Sequence, residues 1–251
     1  MICREYGKEN KDVIILLHGG GLSWWNYREE AEMLQDEYRI ILPVLDGHAD
    51  SDRPFTSIED NASELISFID EHFGGSVLMI GGLSLGAQVL LEALSQRSDV
   101  CRYALVESAA VIPQKMTNAL IGPAFGSSYA LIRSKRFAKL QSESLHIRLE
   151  LFEDYYRDTC LIPKPDMISF MKASTAYALK DSIRSSTAET HLYAGEKETG
   201  TIMKSVEQIH KALPDSTVSI LPGLYHGEFS LNHPERYVQE VREILKNSAL
   251  L

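Results

Sequence analysis

The sequence predicts an α/β protein: a mostly parallel central sheet of about six to eight strands, helices on both faces, and a helical cap inserted in it. Three observations predict it. Apolar runs of strand length recur without internal polar alternation, as strands buried on both faces require. Helix-spaced segments fill the gaps between them, the order that right-handed crossovers stack on both faces of a parallel sheet. The alternation stops over residues 113–187 and then resumes.

The first buried run is Val13–Leu17, with Ile2–Tyr6 ahead of it as a candidate edge strand. Arg39–Leu45, Ser76–Ile80, Tyr103–Val106, His191–Ala194 and Thr217–Leu221 follow. The early runs end in small or polar residues: His18-Gly-Gly-Gly21, Asp46-Gly-His48, Gly81-Gly-Leu-Ser84 and Glu107-Ser108. Ile58, Ala62, Leu65, Ile66, Ile69 and Phe73 recur at helical spacing behind Ser57 and Asp60, a capping box with Asp in place of Glu. Val89, Leu90, Ala93 and Leu94 mark a helix directly after Ser84. Ile202, Val206, Ile209 and Leu213 mark another, stopped by Pro214, and Tyr237 to Leu245 mark the last, with Pro234 in its first turn. Residues 113–187 carry four prolines and many aromatics but no buried-strand pattern. They read as a helical cap inserted in a core domain formed by 1–112 and 188–251.

Composition narrows the function. A net charge of −10, from 25 Lys and Arg against 35 Asp and Glu, argues against nucleic acid, whose phosphates need clustered cations. The charged start lacks a signal-peptide core, and no apolar run reaches the ~18 residues of a membrane span. Three cysteines without pairing or metal spacing fit reduced thiols in the cytoplasm.

The strongest chemical signal is Gly82-Leu-Ser84-Leu-Gly86, with a strand running in and a helix running out. Such a turn needs strained backbone at Ser84, and glycines beside it let strand and helix pass closely. The Ser84 hydroxyl then stands at a helix N-terminus, where the Leu85 N–H can face an oxyanion. Serine needs a base. Of eight histidines, His226 follows the last strand on a short loop at the carboxyl edge, where sites of open α/β sheets lie. His18 and His48 also end strands, but within glycine-rich turns that suit loop orientation. The base in turn needs a carboxylate. Glu198 follows the strand ending at Gly195, and Glu107, at the end of the preceding strand, is the rival acid. The second oxyanion donor falls in His18-Gly-Gly-Gly21, at Gly20 or alternatively Gly21. Gly21, Trp24 and Trp25 are candidates for the substrate side, the two tryptophans equally for core packing. Neither nucleotide-loop spacing nor a metal-ligand spacing occurs, so no cofactor or metal is implied.

His18-Gly-Gly-Gly-Leu-Ser-Trp-Trp25, Leu45-Asp-Gly-His-Ala-Asp-Ser51, Gly82-Leu-Ser-Leu-Gly86, Gly195-Glu-Lys-Glu198 and Tyr225-His-Gly227 stand in an order that resembles the α/β-hydrolase family. The likeness covers the chain outside the cap and is nearest to small esterase, lactonase and C–C-bond hydrolase branches. It implies the α/β-hydrolase fold, with nucleophile, acid and base roles at Ser84, Glu198 and His226. Two positions depart from the family: Glu198 stands where Asp is usual, and Ala49 where Gly is usual. The short stretch before Val13 implies that one or both leading antiparallel strands of the family are missing.

The expected function is hydrolysis of a small carboxylic ester, thioester or lactone through an acyl-enzyme. Alternatives are the same triad acting on another bond (C–C hydrolase, aminopeptidase or cofactor-free perhydrolase), or a non-catalytic ligand receptor. The expected partner is a small ester-like molecule, with no nucleic acid or membrane and a homodimer left open.

Overall fold

In the computed structural model, which describes residues 1–247 (side chains other than those of 126–128 and 247), strands and helices alternate as the apolar runs require. In chain order they are β1 (Cys3–Tyr6), β2 (Val13–Leu17), α1 (Arg28–Leu34), β3 (Arg39–Pro43), α2 (Ile58–Phe73), β4 (Val77–Leu83), α3 (Leu85–Gln96) and β5 (Cys101–Glu107). Four helices follow without a strand: α4 (Lys115–Ser128), α5 (Lys135–Ser144), α6 (Phe152–Leu161) and α7 (Lys164–Ala176). The chain closes with β6 (Glu189–Gly195), α8 (Gly200–Ala212), β7 (Thr217–Leu221), α9 (Glu228–Asn232) and α10 (Pro234–Asn247).

The seven strands make one sheet in the order β1-β3-β2-β4-β5-β6-β7. Only β1 is antiparallel, pairing Cys3–Tyr6 against Ile40–Pro43, so one leading antiparallel strand is present. Alternation along β2 feeds two apolar layers. Ile15 and Leu17 pack with Leu65 and Ile69 of α2 and Val89 and Leu90 of α3. Ile14 and Leu16 face the other way, onto Leu34 of α1 and Tyr237 and Val241 of α10. β7 is the exception to the buried runs. It lies at the sheet edge with Val218 41% and Ile220 39% exposed.

Local signals behave as their chemistry dictates. The Ser57 hydroxyl accepts the Asp60 N–H at 3.0 Å and caps α2. The Asp60 carboxylate, however, takes Thr56 and Arg53 as donors, so only half of the expected capping box forms. β4 runs on to Leu83, beyond the sequence expectation, because β2 and β5 pair with Gly81 and Gly82 from both sides. α1, only seven residues long, offers too few turns for periodicity to register.

The helical insertion between β5 and β6 is tied to the sheet layers by polar bonds. Gln88 Nε2 of α3 donates to the carbonyls of Ala110 and Ser174. The Phe55 N–H donates to Asp166 of α7 at 3.0 Å. Arg28 pairs with Asp154, and Arg148 with Glu29. Trp25, 1% exposed, donates its indole N–H to Asp158 Oδ2 at 2.8 Å. Among the described residues no helix is long and apolar enough to cross a membrane.

Trp25→Phe keeps an aromatic ring there but removes the donor, leaving a buried Asp158 oxygen without it. The expected loss is about 1–2 kcal/mol, read as a lower urea midpoint at unchanged slope. An unchanged midpoint would show that the indole bond anchors nothing.

Candidate active site

Ser84 joins β4 to α3 with φ 51° and ψ −107°, a backbone strain of about 1–3 kcal/mol for a residue with a side chain. The geometry explains the flanking glycines. A Cβ on Gly86 would sit 2.2 Å from the Leu17 carbonyl oxygen, and one on Gly82 would sit 2.6 Å from Gly86 itself. Helix and strands therefore approach to backbone contact, and the Ser84 N–H donates to the Glu107 carbonyl at 2.9 Å. The hydroxyl is pushed out at the carboxyl edge of the sheet.

His226 reaches it from the loop after β7, with Nε2 3.0 Å from Ser84 Oγ. Its Nδ1 lies 3.0 Å from Glu198 Oε2. The carboxylate thus fixes Nδ1–H as the donor and leaves Nε2 as the acceptor facing serine. The loops that carry Glu198 and His226 are joined by their backbones: the N–H groups of Glu196 and Lys197 donate to the carbonyls of Leu221 and Leu224, both at 2.9 Å. Ser108 completes the relay by donating its hydroxyl to Glu198 Oε1. It holds a left-handed backbone, φ 56°, just beyond β5. In the sequence Ser108 carries no motif, and its place at a strand's carboxyl end is the one signal for it.

Burial opposes charging His226, but the hydrogen bond and charge of Glu198, with Glu107 behind it, outweigh that cost and raise the imidazole pKa above its ordinary 6.5. With 47% of the side chain open, solvent screening moderates every contribution. Glu107 itself does not bond His226. It is 1% exposed and accepts the Ser230 N–H at 3.3 Å. Burial pushes its carboxyl up to about 7.

The two glycines expected on the oxyanion side have different surroundings. The Gly21 N–H is committed to His48 Nε2 at 3.0 Å. Gly20 instead stands beside Leu85: a Cβ on it would lie 3.6 Å from the Leu85 Cβ. His18 and His48 act on loops. His18 Nε2 accepts the Leu45 N–H at 3.1 Å, and His48 Nδ1 lies 3.0 Å from the Asp46 carbonyl. Burial lowers their pKa values to about 3 and about 4, which keeps these acceptor nitrogens unprotonated.

A cavity of about 230 Å³ opens over Ser84, His226 and Gly20. Trp24 and Trp25, candidates for the substrate side, are not among the residues that line it, and neither is Gly21. Trp25 is drawn into the core by its bond to Asp158, and Trp24 packs beneath the guanidinium groups of Arg4 and Arg28. Lys197, Tyr225 and His146 line the cavity instead. Sequence reasoning had no local signal for His146, which the insertion delivers from far along the chain. Among the described residues no three His, Cys, Asp or Glu side chains are grouped to hold a metal ion.

Comparison with known proteins agrees with this architecture. Residues 14–240 match the model of the alpha/beta hydrolase family, and the chain belongs to that family. No curated protein matches the sequence at a significant level. Among solved structures, the esterase EaEST from Exiguobacterium antarcticum aligns with TM-score 0.80 and 19% identity, over 97% of this chain and 94% of that one. A thermophilic esterase from Thermogutta terrifontis gives 0.78 and 18%, over 98% and 93%. A hydrolase from Pseudomonas aeruginosa gives 0.81 and 14%, over 97% and 93%. At such identities the likeness is one of fold. The family match supports a hydrolase.

Glu107→Gln tests the buried acid through stability. The folded pKa of Glu107, about 7, lies above its unfolded value of 4.5, so its neutral form supports the fold below pH 4.5 and that support is lost as pH rises toward 7. Gln mimics the neutral form throughout. The variant should match the wild type near pH 4 and exceed it by about 2–3 kcal/mol above pH 7 in urea unfolding. A gap independent of pH would contradict the assignment.

Proposed function

We propose that the protein is a serine hydrolase that cleaves a small carboxylic ester, thioester or lactone through an acyl-enzyme on a Ser84-His226-Glu198 triad. The observation that carries this reading is the unbroken relay from Ser84 Oγ through both nitrogens of His226 to Glu198 and on to Ser108. Ser84 Oγ attacks the carbonyl carbon while His226 Nε2 takes its proton. Negative charge then grows on the carbonyl oxygen, and the N–H groups of Leu85 and Gly20 are the donors assigned to it. His226 passes the proton to the leaving alcohol or thiol, Glu198 stabilising the imidazolium meanwhile. Water, deprotonated by the same nitrogen, releases the acid and restores Ser84. The cavity, smaller than the ~300–1,000 Å³ of drug-sized sites, suits a short substrate. The insertion serves as a cap over it. Three free thiols support a cytoplasmic setting.

A fluorophosphonate probe should label the wild type and not Ser84→Ala. Absence of wild-type labelling would favour a ligand receptor on the same fold. Glu198→Gln should lower kcat by about 10³–10⁴-fold, while Glu107→Gln stays within about tenfold. Because His226 must be neutral to accept the serine proton, kcat/KM should rise with pH through a midpoint above 6.5. In Glu198→Gln that midpoint should move down, since the bond and charge that hold the proton are gone. Equal losses in the two glutamate variants would overturn the choice of acid.

A further inference from the structure

The cavity wall holds a cation that acyl transfer does not use. Lys197 precedes the acid Glu198, and its ammonium lies 4.6 Å from the centre of the Tyr225 ring. His146 stacks on that same ring, with centroids 3.9 Å apart and planes 11° from parallel. The supports beneath are fixed: the Lys197 N–H donates to the Leu224 carbonyl at 2.9 Å, and the Tyr225 N–H to Glu228 Oε2 at 2.6 Å. An aromatic face orients an ammonium without cancelling its charge, as a carboxylate partner would. Among the described residues Lys197 forms no salt bridge.

The rest of the wall makes that cation stand out. Lys197 is the one Lys or Arg lining the cavity among the described residues, and Glu198 the one carboxylate. Both Glu198 oxygens are engaged, by His226 and Ser108. Leu22, Leu145, Ile147 and Leu231 supply an aliphatic lining. An oriented ammonium without a salt-bridge partner, on a wall with this aliphatic lining, complements a short aliphatic molecule that ends in an anion. The chain's net charge of −10 repels anions at long range, so such a molecule needs a local cation to dock.

We propose that Lys197, held by the Tyr225–His146 stack, is a carboxylate-binding subsite, and that the substrate is an ester, thioester or lactone bearing a carboxylate group. This deepens the serine-hydrolase reading and rests on it. The carboxylate belongs either to the acyl part or to the alcohol part, and matched substrates separate the two.

The test is steady-state kinetics of the whole protein on two pairs. Para-nitrophenyl hemiglutarate against para-nitrophenyl pentanoate probes the acyl side, and O-acetylglycolate against ethyl acetate probes the alcohol side. In one pair the charged member should exceed its neutral partner in kcat/KM by roughly tenfold, the scale of a charge-assisted hydrogen bond. That ratio should collapse in Lys197→Met, invert in Lys197→Glu, persist in Lys197→Arg and shrink as salt is added. Turnover of the neutral esters with no preference that Lys197→Met removes would overturn the subsite alone. Turnover of no ester at all would overturn the serine-hydrolase reading, and the subsite with it.

Discussion

The site depends on one constraint, the reversal from β4 to α3 within a single residue. Ser84 accepts a positive φ there because the chain has no room to turn more slowly: Gly86 lies against the Leu17 carbonyl, and Gly82 against Gly86. The same contact brings α3 down onto β2, whose following loop carries Gly20 beside Leu85. The Ser84 hydroxyl and the backbone of Leu85 and Gly20 are thus brought together by one packing event. The buried sheet on either side, with β2 and β5 flanking β4, keeps the strain from relaxing.

Around that turn, identical side chains differ through their partners. His18 and His48 are fully enclosed with no carboxylate on their rings, so burial holds them neutral. They serve as acceptors that pin the loops after β2 and β3. His226 is more open to solvent and has Glu198 on Nδ1, and its affinity for a proton rises instead. Two glutamates diverge likewise. Glu198 has two donors and faces His226, whereas Glu107 is enclosed at the end of β5 and pushed toward neutrality. Position at a strand end is shared by both acids; only the loop after β6, joined by its backbone to the His226 loop, brings an acid to the imidazole.

Much of this was legible in the sequence because it is encoded locally. The apolar runs of β2 to β6, the Ser57 cap and the Gly-x-Ser-x-Gly turn each depend on neighbours along the chain. Ser84, His226 and Glu198 were legible through their places at strand ends, and the structure draws the three together. What escaped depends on distant partners. Trp25 looked available for substrate, but Asp158 of the insertion claims its indole. Gly21 and Gly20 are alike in sequence, and only His48 distinguishes them. Ser108 and His146 carry no periodic or motif signal, yet one steadies the acid and the other reaches the cavity from the insertion.

The central claim is that Ser84, strained into place by this turn, becomes acylated. Intact-protein mass spectrometry after rapid acid quench of para-nitrophenyl ester turnover tests it most directly. The account predicts a mass increase of one acyl group, mapped by peptide sequencing to Ser84, with a matching burst of nitrophenol. An acyl group mapped to another residue, or turnover with neither adduct nor burst, would contradict it.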